Sequence, residues 1–442
     1  MSSEVAAVPL EDCLDALIDY RGKTPVKTLS GIPLITAKII KAGRIEKPTE
    51  FIAKDNYDSW MRRGIPKAGD VVLTVEAPLG EVAQLGAEKI ALAQRVVTLR
   101  GKVGVLDNTY LLYLLQTEEM QEQLKARATG TTVLGIKQSE LRKVLLRLPT
   151  IEAQVSAAAT LKAIDDRIAL LRETNTTLEA IAQALFKSWF VDFDPVNAKA
   201  QGNAPEGMDK ATAALFPDSF EESELGLVPK GWKAMPFLDA CDLLGGSQPP
   251  ASCFVDEPRE GYVRLLQIRD FSTDAHKTFI PDTSKLKKVN DDDVLIGRYG
   301  SASGDKARDS LGRVCRGLSG AYNVALMKLN PIKVGREFAL QMVTDPRFYG
   351  YLQGVSSKAV QSGFSKSELG QYKVVIPTRE IAELYESFGV TIWNRVKGGE
   401  EMQYLLSELR DTLLPRLISG HLRLPEQDDG KNFNGSYAPC HH

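Results

Sequence analysis

Two stretches of the 442-residue chain resemble each other: IKQSELRKVLLRLPTIE at residues 136–152 and FSKSELGQYKVVIPTRE at residues 364–380. Both contain Ser-Glu-Leu, an apolar run and then Pro-Thr, at a constant offset of 228 residues. The offset continues without a gap downstream, where it pairs Arg167 with Arg395 and Leu178 with Leu406. Chance similarity between two Leu-rich segments would not keep one offset over such a length. We therefore interpret the chain as an internal duplication.

Towards the start of each copy the match loosens. PLITAKII from Pro33 resembles RLLQIRDF from Arg264, and GDVVLTV from Gly69 resembles DDVLIGR from Asp292, with small insertions between them. The copies thus share their later part and differ most in their first hundred residues or so. This pattern predicts a common scaffold that carries two different surfaces.

Each copy is predicted to be a mixed α and β domain followed by a long helix, so the fold class is α+β. VVLTV and RVVTL are typical of strands, TYLLYLLQTEEMQEQLKARA from Thr109 is typical of one amphipathic helix, and KVLLRLP and YKVVIP resemble closing strands. The predicted boundaries are 1–150 for the first domain, 151–196 for a central helix, 197–230 for a linker, 231–378 for the second domain, 379–424 for a second helix and 425–442 for a tail.

The central helix has a heptad pattern typical of a coiled coil. Its a positions are Leu161, Ile168, Asn175, Ala182 and Trp189, and its d positions are Ile164, Leu171, Leu178 and Leu185. The second helix keeps Ile392, Val396, Leu406, Leu413 and Leu417, while Gly399 and Arg410 interrupt the pattern. The residues expected to pack the two helices together are Ile168, Leu171, Asn175, Leu178, Leu185, Val396, Gln403, Leu406 and Leu413.

Asn175 and Gln403 occupy matching a positions of the two helices. A polar residue at an a position costs stability but fixes register, so we expect the two amides to meet in an antiparallel helix pair with pseudo-two-fold symmetry. The alternative is two unrelated amides in solvent.

A helix of about 40 residues spans roughly 60 Å at 1.5 Å per residue. An antiparallel pair would hold the domains at opposite ends, as a protein that reads two separated half-sites requires.

Composition excludes several classes of protein. A net charge of −2 does not suit a chain that binds nucleic acid over its whole surface, although a local basic cleft remains compatible with it. The five cysteines are widely spaced and form no CxxC pair, which predicts reduced thiols rather than disulfides or a zinc site. The sequence shows no signal peptide and no run of 18 apolar residues, so the expected location is the cytoplasm.

Three further segments, LFKSWFVDFDPV at 185–196, LFPDSFEESELGLVPKGW at 215–232 and LLPRLISGHLRL at 413–424, closely resemble the specificity subunit of type I restriction-modification systems. The resemblance covers nearly the whole chain. It implies two target-recognition domains that each read half of a split DNA sequence, held apart by antiparallel helices on which two methyltransferase subunits dock. Restriction-translocase subunits then join the complex. S-adenosylmethionine, ATP and Mg²⁺ belong to those partner subunits, and this chain is expected to bind no cofactor and to catalyse nothing.

Catalytic signatures are missing from the sequence. It contains no GxxxxGK[ST] loop and no GxGxxG that follows a strand convincingly. Asp194-Pro195-Val196 only faintly resembles an amino-methyltransferase motif, and Pro195 is expected to end the central helix. The four histidines, at 276, 421, 441 and 442, do not have the spacing of metal ligands.

Candidate DNA-binding residues are basic or small polar side chains in loops at matching places. In the first domain they are Lys38, Lys41, Arg44, Arg62, Arg63, Thr131, Thr132 and Lys137. In the second they are Arg269, Arg298, Tyr299, Lys306, Arg308, Lys358, Gln361 and Lys366. The loops before Ser139 and Ser367 are the best matched pair.

Two other functions remain open at this point. The duplication and the helices fit equally well a two-headed coiled-coil scaffold that binds proteins and does not touch DNA. A self-sufficient DNA methyltransferase or nuclease is disfavoured by the missing motifs.

Overall fold

The computed structural model describes residues 6–22, 24–273, 275–300, 310–356 and 363–422. The chain forms two compact units. Unit 1 consists of Met1–Leu170 with Met402–His442, and unit 2 of Leu171–Glu401. We call residues 6–150 the first head and residues 231–378 the second head. In the described part of the chain, no helix is long and apolar enough to cross a membrane.

The strands of unit 1 are β1 (Ala7–Pro9), β2 (Leu14–Asp19), β3 (Ile32–Ile35), β4 (Ile40–Lys41), β5 (Arg44–Ile45), β6 (Phe51–Ile52), β7 (Val71–Val75), β8 (Leu79–Gln84), β9 (Ala91–Leu92), β10 (Val96–Gly101) and β11 (Leu145–Arg147). Its helices are α1 (Tyr57–Trp60), α2 (Asn108–Leu114), α3 (Glu118–Ala126), α4 (Gln138–Leu141) and the first part of α5 (Ile151–Phe190).

The strands of unit 2 are β12 (Phe220–Ser223), β13 (Gly226–Pro229), β14 (Lys233–Pro236), β15 (Cys241–Gly245), β16 (Tyr262–Leu266), β17 (Phe279–Pro281), β18 (Lys288–Val289), β19 (Leu295–Gly297), β20 (Val314–Cys315), β21 (Gly320–Tyr322), β22 (Leu326–Pro331) and β23 (Lys373–Ile376). Its helices are the rest of α5, then α6 (Asp194–Ala200), α7 (Lys210–Leu215), α8 (Phe237–Ala240), α9 (Arg336–Thr344), α10 (Pro346–Ser356), α11 (Lys366–Leu369) and most of α12 (Arg379–Ile418), whose end lies in unit 1.

The two heads share one topology, which confirms the internal repeat. The main sheet has the order β2-β10-β7-β8 in the first head and β15-β22-β19-β20 in the second. A smaller sheet contains one parallel pair in each, β3 with β9 and β16 with β21. In both heads the closing strand pairs with the first strand, β11 with β1 and β23 with β14.

Strand β7 explains why its sequence, VVLTV, shows no alternation of apolar and polar residues. All five residues are buried. Val71, Leu73 and Val75 face one apolar cluster and Val72 faces another, since successive side chains leave a strand on opposite sides. A sheet covered on both faces requires apolar residues throughout its central strands.

The single amphipathic helix predicted from Thr109 is wrong, because the segment forms two helices, α2 and α3. Thr117 separates them. Its hydroxyl oxygen accepts from the backbone N–H of Met120, as an N-cap does, and donates to the carbonyl of Leu114. The Gln121 side chain also donates to the carbonyl of Leu115. These side chains satisfy the backbone groups that the break leaves unpaired.

The segment predicted as a linker at 197–230 contains α7 and the β12–β13 hairpin. Its apolar residue Phe216 is buried beside Trp189 of α5, with the ring centroids 5.1 Å apart. Helix α5 itself ends at Phe190, before the predicted residue 196. Phe193 takes a left-handed conformation (φ 56°), and Pro195 lies in the first turn of α6, where a proline costs no helical hydrogen bond.

The long helices α5 and α12 begin at Ile151 and Arg379, where the sequence predicts them. All five predicted a positions of α5 are buried, and the d positions Ile164, Leu171, Leu178 and Leu185 are half-buried. In unit 2 the helices run antiparallel, because Ala182 contacts Tyr385 while Asn175, earlier in α5, contacts Val396, later in α12. In unit 2, α5 and α12 therefore pack as an antiparallel pair.

The two residues that interrupt the heptads of α12 have polar partners on α5. Gly399 is buried against Asn175, and a Cβ atom there would lie 2.4 Å from Asn175 Oδ1. In unit 1, Arg410 Nη1 donates to Asp165 Oδ1 at 3.0 Å. Gly399 and Arg410, which interrupt the heptad pattern of α12, thus each face a polar residue of α5.

Of the other predicted packing residues, Val396 is buried, and Gln403, Leu406 and Leu413 are half-buried. The Asn175 amide donates to the carbonyl of Val396 at 3.0 Å. The predicted contact between Asn175 and Gln403 stays a prediction.

Candidate nucleic-acid interface

In the first head, the loop at residues 129–135 is held closed at its base. Thr129 and Gly135 exchange two backbone hydrogen bonds of 2.9 Å, and Ile136 N–H donates to the carbonyl of Val75 at the end of β7. Gly130 has φ +118°, and a Cβ atom there would lie 2.1 Å from the carbonyl oxygen of Val133. Only glycine fits such a position. The predicted residues Thr131 and Thr132 lie exposed at the tip with Val133 and Leu134.

Arg21, which the sequence analysis did not single out, connects this loop to the rest of the surface. Its Nη1 donates to the carbonyl of Ile136 at 2.6 Å, and its Nε donates to Asp19 at 2.8 Å. A cavity of about 240 Å³ lies against the loop, lined by Arg21, Glu76, Thr129 and Lys137 among others. The structure therefore brings the predicted Lys137 and the loop together around one arginine.

The predicted pair Arg62 and Arg63 lies next to Arg21. Arg63 Nη1 donates to the carbonyl of Arg21 at 2.7 Å, so its guanidinium supports backbone, while Arg62 is exposed. The turn is fixed by Tyr20, whose hydroxyl donates to the carbonyl of Gly64 at 2.7 Å and accepts from Arg63 N–H at 3.0 Å. Burial raises the pKa of Tyr20, which keeps this donor protonated.

The other predicted cations of the first head have different surroundings. Lys41 pairs with Glu46 at 2.9 Å. Arg44 lies 4.0 Å from Asp165 of α5, which places its charge towards the helix. Lys38 is exposed on the turn between β3 and β4. Lys41 and Arg44 are therefore each paired with a carboxylate rather than with the loop at residues 129–135.

The second head repeats the contacts at the base of this loop with other residues. Tyr299 pairs with Gly363 by an isolated antiparallel bridge, and Glu76 pairs in the same way with Gly135, the counterpart of Gly363. Arg298 Nε donates to the carbonyl of Phe364 at 3.2 Å, and its guanidinium lies 4.9 Å from the centre of the Tyr299 ring. Phe364 is the repeat counterpart of Ile136. An arginine therefore holds the equivalent carbonyl in each head, although Arg21 follows β2 and Arg298 follows β19, which are not counterparts.

The remaining predicted residues of the second head divide into two groups. Arg269 is exposed, but its Nη2 donates to Thr278 Oγ1 at 2.7 Å, and Lys366 pairs with Asp242 at 2.6 Å. Lys306, Arg308, Lys358 and Gln361 lie outside the described residues.

Two cysteine thiols of the second head lie in surroundings that raise their pKa. Burial raises the pKa of Cys241 to about 12 and that of Cys315 to about 11, so both remain protonated thiols near neutral pH. Within the described ranges, no group of three or more His, Cys, Asp or Glu side chains is placed to hold a metal ion.

Residues 18–180 match the family described as the Type I restriction modification DNA specificity domain. The chain is 25% identical over 378 residues to the type I restriction enzyme MjaIX specificity subunit of Methanocaldococcus jannaschii, which covers 82% of this chain and 80% of that one. It is 24% identical over 392 residues to the type I restriction enzyme HindI specificity subunit of Haemophilus influenzae, and the alignment covers 76% of this chain and 82% of the HindI subunit.

A crystal structure of the type I restriction-modification S subunit from M. genitalium has the same fold. It superposes with a TM-score of 0.58 at 15% sequence identity, covering 93% of this chain and 95% of that chain. The long similar segments, the repeated heads and the two long helices agree with one another. Residues 18–180 thus match a type I restriction modification DNA specificity domain, and over most of its length the chain is similar to type I restriction enzyme specificity subunits.

Proposed function

We propose that this chain supplies DNA-sequence recognition to a type I restriction-modification complex. Each head reads one half of a bipartite target, and the helix pair sets the spacing and docks methyltransferase subunits. The anchored loop, repeated in both heads with an arginine on the carbonyl of Ile136 or Phe364, is the observation that carries the proposal. The anchor at the base of the loop is preserved while the loop sequences differ, which is what two readers of different half-sites require.

The chemistry of the first loop suits DNA. Hydroxyl groups of Thr131 and Thr132 bond to phosphates or base edges, and the methyl groups of threonine and of Val133 suit contact with a thymine methyl group. Lys137 and Arg62 supply exposed cations beside the loop. The neighbouring positive charge therefore lies where phosphates would approach, although the net charge of the chain is −2.

The partners are two methyltransferase subunits, with restriction-translocase subunits joining the complex. An apolar stripe on α12 supports the docking of a partner: Met402, Leu405 and Leu409 are 46%, 60% and 46% exposed and lie on one face of the helix. S-adenosylmethionine, ATP and Mg²⁺ are bound by the partner subunits in this proposal. The complex works in the cytoplasm, where it meets DNA.

A protein-binding scaffold that does not touch DNA is the alternative. It accounts for the apolar stripe on α12, but gives no reason for an arginine to hold the carbonyl of Ile136 or Phe364 in each head. DNA recognition accounts for both features.

The decisive experiment is methylome sequencing of cells that express the chain together with the methyltransferase subunits of its host. We expect a split target with a gap of fixed length, and no methylation when either component is expressed alone. A continuous palindrome, or methylation without sequence preference, would overturn the proposal.

DNA binding by the assembled complex tests the position of the interface. Replacing Arg62 and Lys137 together by alanine should weaken binding and lower the salt dependence by about 0.9 per lost phosphate contact. Lys162→Ala with Arg379→Ala is the matched control, because it removes two exposed cations from α5 and α12. Equal losses in both double variants would show that the first loop has no special role.

A further inference from the structure

Asp165 of α5 connects the first head to both long helices within unit 1. Tyr113 of α2 donates its hydroxyl proton to Asp165 Oδ2 at 2.8 Å, and Arg410 of α12 donates to Oδ1 at 3.0 Å. Arg44 of β5 adds a cation 4.0 Å away. Tyr113 is only 2% exposed, so its hydroxyl group depends on this carboxylate for a partner.

Trp393 of α12 connects the second head to a long helix in unit 2, as Asp165 does in unit 1. The guanidinium of Arg316, from the loop after β20, lies 3.6 Å from the centre of its indole ring. The indole N–H donates to Asp292 Oδ1 at 2.9 Å. Arg316 is held by Glu337 of α9 at 2.6 Å, with side chains only 7% and 5% exposed. Residues of the second head thus contact Trp393 on two sides: Arg316 stacks on the face of the indole ring, and Asp292 accepts a hydrogen bond at its edge.

These two residues are counterparts in the repeat, because the 228-residue offset carries Asp165 onto Trp393. Their chemistry is unrelated, a carboxylate in one copy and an indole in the other. Each nevertheless receives a residue that approaches from its own head. One polar contact between head and helix lacks this correspondence: Gln154 accepts from Asp107 N–H in unit 1, but its counterpart is Ala382.

We infer that this shared helix position is the anchoring position of each head, and that Asp165 and Trp393 are positioning residues for target recognition. Each fixes the orientation of its head on the helix, and so fixes where the head places its loop on DNA. The divergence of the two anchors follows from the divergence of the heads: a new head brings a new partner, and the helix position adapts to it. The inference rests on the proposed function.

A head released from its anchor should still recognise its bases but should pivot on its helix. The half-site would then be reached at more than one distance along the DNA. The measurable consequence is a loss of selectivity for gap length, which a general loss of folded protein would not produce, because fewer active molecules would lower the rate on every substrate equally.

The test uses the complex assembled with its methyltransferase subunits. Methylation rates are measured on DNA that carries the native target, and on DNA whose gap is one base pair shorter or longer. Tyr113→Phe removes only the hydroxyl group that Asp165 accepts from, and Trp393→Phe removes only the indole N–H and part of the ring. Loss of one such hydrogen bond should reduce the preference for the native gap about fivefold.

Tyr322→Phe is the matched control. Tyr322 is as buried as Tyr113 and also donates one hydrogen bond, but to the carbonyl of Leu244 inside the second head. It should leave gap selectivity unchanged. If Tyr113→Phe and Trp393→Phe lower the rate equally on all three gaps, the anchoring role is refuted. If the wild-type complex methylates no split target, the proposed function itself has failed.

Discussion

Gly398 and Gly399 are neighbours in α12, yet alanine should have opposite effects at the two positions. Alanine favours a helix over glycine by about 1 kcal/mol. Gly398 is exposed, and a Cβ atom there would meet nothing within 4 Å, so Gly398→Ala should stabilise unit 2 by about that amount. At Gly399 the Cβ atom would lie 2.4 Å from Oδ1 and 3.0 Å from Nδ2 of Asn175.

The cost at Gly399 has two parts. Asn175 must move, which breaks its 3.0 Å hydrogen bond to the carbonyl of Val396 and leaves a buried amide unsatisfied, at about 1–3 kcal/mol. Overpacking between the helices adds about 1–3 kcal/mol. After the helical gain of about 1 kcal/mol is subtracted, Gly399→Ala should destabilise unit 2 by about 1–5 kcal/mol.

Urea unfolding of the full chain, followed by circular dichroism at 222 nm, measures this difference as opposite shifts of the unfolding midpoint. Asn175→Ala in the Gly399→Ala background should recover part of the loss, because it removes the group that clashes. The reasoning is refuted if Gly399→Ala raises the midpoint as Gly398→Ala does, or if the second substitution recovers nothing.

Three further predictions concern the loop, the apolar stripe and acid stability. Gly130→Ala should lower DNA affinity several-fold in a gel-shift assay while leaving the unfolding midpoint nearly unchanged, because the strain is confined to an exposed loop; unchanged affinity would refute the role of the loop. Leu405→Asp should abolish co-purification of methyltransferase subunits, because Leu405 is 60% exposed in the apolar stripe. Leu227→Asp is the control, since Leu227 is 64% exposed but lies outside the stripe. If both variants retain the methyltransferase subunits equally, the subunits do not dock on the stripe. The indole N–H of Trp393 holds the pKa of Asp292 below its usual value. Ionised Asp292 therefore stabilises the fold at any pH above the usual pKa of an aspartate, and this stabilisation is lost as the pH falls through the lowered pKa. Trp393→Phe should make the free energy of unfolding less sensitive to acid, as measured between about pH 5 and 2.

The repeat, the mixed α and β heads and the start of each long helix could be predicted from the sequence, because these features depend on local pattern. The a positions of α5 recur every seven residues, and the Pro-Thr pair at 149–150 marks the end of the strand before it. The break at Thr117 was missed because threonine is tolerated inside helices, and its capping role depends on where the neighbouring side chains pack.

The site was less predictable for the same reason. Arg21 and Ile136 are separated by 115 residues, and nothing local distinguishes Arg21 from a solvated arginine. Conversely, Arg44 belongs to a basic cluster in the sequence, but its charge lies next to Asp165. Matching the two copies at one offset pairs Ile136 with Phe364 but does not find the arginines, because Arg21 and Arg298 are not counterparts in the repeat.

The pairing of the first strand of each head with its last has a consequence for how such a chain evolves. Paired strands lie about 4.8 Å apart, so the chain enters and leaves each head at neighbouring points. The arginine that holds each loop lies inside the same head. A recombination event with breakpoints just outside β1 and β11, or β14 and β23, would therefore exchange a complete reader with its internal supports, whereas a graft of the loop alone would leave the supporting arginine behind.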